Sequence, residues 1–488
     1  MMFYEKRYSV DSPKRKKYRL SSFAGYDVKK RSSSLPRDWC EETFNFAFSD
    51  GELTQGAGFE PFVRTFADGT SAKLPALETL ALRDTMFAGK LTFDGVPRDC
   101  LFVSDATSLK YIVLDDADAQ WQTCEGSIGK HTNAVHYLHD GDDLMLFAGI
   151  AYGVFVMSGT GGTFVADALP IRDVCTYNER VFAVVDSDRP CVWFSDTFDP
   201  YNWNVSLDEG GYIYTDGAAG KVLRVIAMGD YAYVFCEYGV YRLSGYADQT
   251  EFTLKRLSCD CGRIFGGSIV NCADAIVFSA IDGIYATDGY TVYKMTDRAD
   301  KLLSGAKDVS AVCWRNVYCA TFTDEGESVF GHDAHGEEGN AIFALDLDSG
   351  NIDVYRGVRV RSLTVLRGSA DNKLIARSKD SGEVLQACDG DAPVYTSALR
   401  YWGVSGIDFG APCDKKLIVS AECRVSAPTV LGVIADGVTT EHLVTPSRGV
   451  ARINRSGYEF GFYIMSRAPR VRVRPPVFTV DTVRGDML

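Results

Sequence analysis

Residues 281–289 read I-D-G-I-Y-A-T-D-G, and two other stretches share the pattern: A-Y-G-V-F-V-M-S-G from Ala151 and E-Y-G-V-Y-R-L-S-G from Glu237. Each places a glycine before an aliphatic–aromatic pair. With the aliphatic residue as marker, Val154, Val240 and Ile284 lie 86 and 44 residues apart, which is two periods and one. Val192, in P-C-V-W-F-S-D, supplies the copy between the first two. Ile112, Ile342 and Val384 mark weaker copies, and the steps from Ile112 to Val154 and from Ile342 to Val384 are both 42. The 58-residue step from Ile284 to Ile342 contains a polar insertion, 324–339, whose removal restores 42. A period near 42 built from short apolar runs is the signature of a β-propeller blade. One small sheet cannot bury both its faces alone, and stacking against neighbours solves that problem. Seven markers predict seven blades, or six if the first or last copy is incomplete.

The rest of each repeat reads as strand. Y-A-Y-V-F-C from Tyr231 and D-A-I-V-F-S from Asp274 are short apolar runs, and H-D-G-D-D at His139 and Y-N-E-R at Tyr177 are turn-formers. Two hairpins per period give four strands. The chain divides into an extended basic arm with lead-in strands (1–76), a propeller (77–391) and a C-terminal region (392–488) where the period breaks. That last region has longer alternating runs, K-L-I-V-S-A-E-C-R-V from Lys416 and Y-E-F-G-F-Y-I-M-S from Tyr458, which predict a β-sandwich. In R-V-R-V-R the period of two puts Arg470, Arg472 and Arg474 on one solvent-facing side. The chain is predicted to be all-β.

Composition narrows the class. At 488 residues the chain is long enough for two or more domains. No apolar run reaches 18 residues, so no membrane span is expected, and Met1 to Leu20 lacks the apolar segment of a secretory signal. The 14 cysteines are scattered singly through apparent strands, which suits small buried hydrophobes in a reducing cytoplasm. Charge is uneven. The total is −14, yet Met1 to Arg37 holds eleven Lys or Arg against three acidic residues. A basic arm invites an acidic surface, and an acidic body resists non-specific adhesion to nucleic acid. Lys6, Arg7, Lys14, Arg15, Lys16, Lys17 and Arg19 are therefore the candidate partner-binding residues of the arm, set on a neighbouring subunit rather than on DNA.

Catalytic signatures are missing. The sequence contains no sialidase-type turn, G-x-S-x-G, Walker loop, H-E-x-x-H or C-x-x-C. Cys259 and Cys261 are too close for structural zinc and lack a second pair. His332 and His335 sit in the polar insertion, which reads as a solvated loop or a contact to a partner subunit. His131, His136 and His139 read as ordinary strand and loop residues. Paired carboxylates such as Asp142 and Asp143 fall in turns. No cofactor, no metal and no enzymatic activity are expected.

The third repeat is the most distinctive. Asn178, Glu179 and Arg180 open a strand, Val192, Trp193, Ser195 and Asp196 close the next, and Asp199, Pro200 and Trp203 form a D-P turn. This order resembles a segment of the propeller-bearing tail nozzle and packaged-DNA stabilisation proteins of tailed bacteriophages. N-F-A-F-S-D-G-E-L-T-Q-G-A-G from Asn45 is similar to their opening strand pair, and G-Y-E-F-G-F-Y-I from Gly457 to a strand of their terminal sandwich. The resemblance covers most of the chain as loose patterns. It implies a non-enzymatic virion component made in the bacterial cytoplasm. Such a component forms a homo-oligomeric ring of six, continues the DNA conduit at the head–tail connector, and contacts other tail proteins and, transiently, genomic DNA. The resemblance assigns no role to the basic arm or to the 324–339 insertion. Two other readings remain: a receptor- or glycan-binding propeller at the tail tip, and a glycoside hydrolase with carboxylates around the propeller axis.

Overall fold

The computed structural model describes residues 14–23, 25–27, 40–56, 58–66, 68–75, 77, 85–104, 107–127, 131–149, 153–166, 169–206, 209–245, 249–296, 298–299, 303, 305–324, 327–328, 342–356, 360–367, 372–378, 382–388, 399–468 and 470–483. Lys6, Arg7, His332 and His335 lie outside them.

The protein is a β-propeller inserted in sequence between the two segments of a second all-β unit. Between residues 58 and 388 the described strands form seven antiparallel sheets with a four-strand path and one two-stranded ladder, Val63–Thr65 with Ser71–Lys73; in six of the seven the path follows chain order. The sixth carries an added short strand, Glu327–Ser328. The markers occupy one structural position. Ile112, Val154, Val192, Val240, Ile284, Ile342 and Val384 each lie on the third strand of their own sheet, and none is more than 7% exposed. The first strands touch in order: Thr85–Phe93, His131–His139, Ile171–Tyr177, Val222–Met228, Val270–Cys272, Asp308–Trp314 and Val360–Arg367, and the last touches the first.

The apolar residues that set the period fill the spaces between sheets. Phe102 and Phe147 join the first and second sheets, Ala183 and Val156 the second and third, and Phe235 and Phe278 the fourth and fifth. Ile375 and Val384 pack on Leu101 and Ile112 and so close the circle. Burial of one such side chain contributes about 1.5–3 kcal/mol. The second strands are the most enclosed, as in Arg180–Val185, where every residue is buried; Gln122–Thr123 and Thr253–Arg256, on the outer edge, are largely exposed.

Hairpin turns explain how so many short strands keep register. The first turn of several sheets is two residues long with both in left-handed backbone: Asp94–Gly95 (φ 50° and 75°), Asp140–Gly141 (51° and 89°) and Asn178–Glu179 (45° and 62°). That twist matches the right-handed twist of the flanking strands.

The compact units differ from the three-part division read from the sequence. One is Gly58–Cys388, and the other joins Met1–Ala57 to Asp389–Leu488. Gly58–Pro61 pairs with Val384–Cys388 and is the outer strand of the seventh sheet, so the lead-in is shared between the units. The extended arm is likewise corrected for its described part. Lys14–Arg19 is a strand on the edge of a four-stranded sheet with Val477–Val483, Lys415–Glu422 and Val450–Gly457. A five-stranded sheet holds Glu42–Phe44, Arg400–Ile407, Phe460–Ser466, Thr429–Ala435 and Val438–Val444. The Phe462 and Phe478 rings, one from each sheet, lie 4.1 Å apart. Local pairing outweighed composition here, because a basic strand finds acceptors and an apolar neighbour within its own chain.

Candidate functional site

The candidate arm residues that the structure describes are held by their own sheet. Arg15 grips Asp481 with two parallel bonds, Nε to Oδ1 and Nη2 to Oδ2, both 2.9 Å. That hydrogen bonding holds the Asp481 carboxyl below its usual range. Lys17 reaches Glu422 at 3.3 Å, and the Tyr18 ring lies 4.9 Å from Phe409. Lys14, Lys16 and Arg19 share the same ladder, opposite Thr482, Val480 and Val477. Arg470, Arg472 and Arg474 are exposed between buried Val471 and Val473, as the alternation predicted. Arg472 and Arg474 both converge on Glu52, at 3.5 and 2.8 Å.

The residues of the third repeat build one folded loop. Arg180, 3% exposed, donates from Nη1 to the carbonyls of Ser195 and Glu209 at 2.8 Å each, with its guanidinium 5.5 Å from the centre of the Phe194 ring. Ser195 Oγ accepts from Val181 N–H at 3.0 Å and donates to the Asp196 carbonyl at 2.9 Å. Asp196 takes Thr197 N–H and the Asn202 amide; Asp199 takes Tyr201 N–H. Trp203 Nε1 donates to the Pro200 carbonyl at 2.9 Å from a buried position. Trp193 sits beside Tyr212, at 5.1 Å, on the outer half of the sheet. The other six fold residues 195–203 back onto the strand that Arg180 opens.

A second constellation was not read from the sequence. Asn133, Asp173 and Arg224 are each the third residue of the first strand of the second, third and fourth sheets. At each, the pairing with the second strand shifts register. Asn133 donates to Asp173 Oδ1, and Val225 N–H donates to Asp173 Oδ2 at 2.9 Å. Arg224 lies 3.7 Å from Asp173, donates from Nη2 to Asn133 Oδ1 at 3.2 Å, and from Nη1 to the Ile269 carbonyl at 3.0 Å. Four consecutive sheets are thereby tied at their inner strands. Burial raises the Asp173 carboxyl to about 6, with Arg224 opposing. Superposing the repeats as H-T-N, I-R-D and V-L-R shows what they share: a buried residue followed two places on by a hydrogen-bonding one.

The histidines and cysteines have structural surroundings. His131 is buried against Phe147 and Phe155, His136 meets Asp143, and His139 Nδ1 donates to the Phe198 carbonyl at 2.9 Å. Cys259 and Cys261 place their sulfurs 3.1 Å apart. Among the described residues no group of three or more His, Cys, Asp or Glu is placed to hold a metal ion.

Charge separates by unit. Gly58–Cys388 contains 28 Lys or Arg and 47 Asp or Glu, a net −19; the other unit contains 23 and 18, a net +5.

No family model matches the chain, and no curated protein matches it. By structure it is similar to the WD40 domain of Pan2 from Neurospora crassa, at 11% identity and TM-score 0.40, over 62% of this chain and 88% of that one. It is also similar to BBS1N from a complex with ARL6DN, at 11% identity and TM-score 0.41, over 67% and 94%. Among the described residues no helix is long and apolar enough to cross a membrane.

Proposed function

We propose that this chain is a structural virion protein of a tailed bacteriophage, assembling as a ring of six in the tail or head–tail connector. There it continues the DNA conduit, joins neighbouring tail proteins and touches the genome only transiently. One observation carries the reading. The segment through which the sequence resembles nozzle proteins is a framework: Arg180, Ser195, Asp196, Asp199, Pro200 and Trp203 spend their polar groups on closing a loop. That use fits a protein whose family pattern preserves architecture rather than a reaction. The −19 charge of the propeller unit suits a conduit wall, since like charge denies the phosphates a binding partner. Negative-stain electron microscopy of the purified protein tests the reading. A ring with a central channel wide enough for duplex DNA supports it, and particles of single-propeller size oppose it.

A second reading, a propeller that binds a glycan, is favoured by one observation. On the third sheet, Trp193, Tyr212 and Tyr214 step along the outer strands at ring spacings of 5.1 Å, with the Arg189 guanidinium 3.7 Å from the centre of the Tyr214 ring. Exposed aromatic faces with a cation at one end suit sugar rings. Binding to a glycan array that disappears in Tyr212→Ala and Tyr214→Ala would favour this reading.

A further inference from the structure

Phe198 stands in left-handed backbone, at φ 61°, with 62% of its surface exposed. A non-glycine residue in that region costs roughly 1–2 kcal/mol, and an aromatic ring in water recovers none of it. Two contacts impose the conformation: Phe198 N–H donates to the Glu179 carbonyl at 2.9 Å, and the Phe198 carbonyl accepts from His139 Nδ1 at 2.9 Å. Nearby apolar surface is also exposed. Tyr201, 40% accessible, meets the His139 ring at 5.5 Å. Asp140, beside His139, has an almost fully exposed carboxylate. The result is an apolar knob on an acidic unit, held out at a conformational cost. Strain maintained by surrounding contacts points to use.

The other unit presents the complement. Leu443 (64% exposed) and Val450 (48%) lie on Val438–Val444 and Val450–Gly457, the adjoining edge strands of its two sheets. Arg448, Arg452 and Arg455 are exposed around them, on a unit of net charge +5. We propose that the Phe198 knob of one copy seats on the Leu443–Val450 edge of a second copy. The two surfaces are unlike, so the contact is head-to-tail, which closes into a ring where the rotation permits. The acidic and basic surroundings set orientation and make the contact salt-sensitive. The inference rests on the ring reading and names the surface that would build it.

The test compares wild type with Phe198→Gly by sedimentation equilibrium, and maps cross-links from a photoreactive phenylalanine placed at position 198. Glycine accepts φ 61° without strain, so the variant keeps or raises the wild-type melting temperature, which separates loss of contact from loss of fold. Self-association is expected to weaken roughly thirtyfold, as for a central aromatic anchor, and cross-links are expected at residues 438–458 of another copy. If Phe198→Gly associates as tightly as wild type, or the cross-links fall elsewhere, this interface is wrong while the ring reading stands. If wild type is itself monomeric and forms no intermolecular cross-link, both fail.

Discussion

Arg224 Nη2 donates to Asn133 Oδ1 at 3.2 Å although the two residues belong to sheets that are not neighbours, with the sheet of Asp173 between them. The long side chain crosses the inner edge of that sheet, and Asp173 lies 3.7 Å from its Nε on the way. A propeller closes by packing sheet on sheet, and this polar chain adds a direct tie at the inner strands.

Replacing Arg224 with Ala leaves the buried Asp173 carboxylate without its cation, and a broken buried pair costs about 3–5 kcal/mol. The urea midpoint is expected to fall accordingly. In Asp173→Asn/Arg224→Met, where no charge is stranded, most of that loss should return. A double variant as unstable as Arg224→Ala would mean the pair itself, and not its imbalance, holds the inner strands.

The same carboxyl predicts a pH effect. Its folded-state pKa, about 6, is above the unfolded value, so between the two the folded protein binds more protons. Wild type should therefore gain stability relative to Asp173→Asn as pH falls from 7 to 4.5. Urea unfolding of both proteins at the two pH values checks this. A constant difference would show that folding does not raise the Asp173 carboxyl above its unfolded value.

Removing Arg180 strands the Ser195 and Glu209 carbonyls and releases the loop 195–203. Arg180→Ala is expected to cost about 1.5–3 kcal/mol, the range for hydrogen bonds to a charged group. Arg180→Lys recovers little, because an ammonium cannot copy the planar fork. Thermal melts measure the loss, and a change below about 0.5 kcal/mol, typical of surface substitutions, would mean the loop is held by other contacts.

Deleting Met1–Arg19 strips the Lys14–Arg19 strand from the edge formed by Val477–Val483 and removes the partner of Asp481. An uncovered apolar edge templates pairing with other chains, and lysines and arginines at that edge guard against it. The truncated protein should aggregate at concentrations where the full chain is monodisperse by light scattering. Unchanged dispersity would return these residues to the role of an arm for a partner.

The period of the markers was legible because each residue sits on the third strand of a sheet and faces a neighbour, a demand that repeats with the blade. The loop of Arg180 to Trp203 was legible as a segment, but its role as a framework depends on side chains bonding to backbone groups such as the Ser195, Glu209 and Pro200 carbonyls, and a backbone partner leaves no trace in residue type. Gly58–Pro61 was missed because four residues carry no periodicity, and their partner strand lies more than 300 residues on. Lys14–Arg19 was misread for a different reason. A run of cations reads as solvated arm until Asp481 and Glu422, distant in sequence, are seen beside it. Asn133, Asp173 and Arg224 differ in chemistry at one repeat position, so a search for like residues passes over them.

The central claim is that this chain builds a ring, and the most direct test is the native mass of the purified protein at low salt. The prediction is a species of six copies of the 53.6 kDa chain, which dissociates as salt is raised. A single chain mass at every concentration and salt would contradict it.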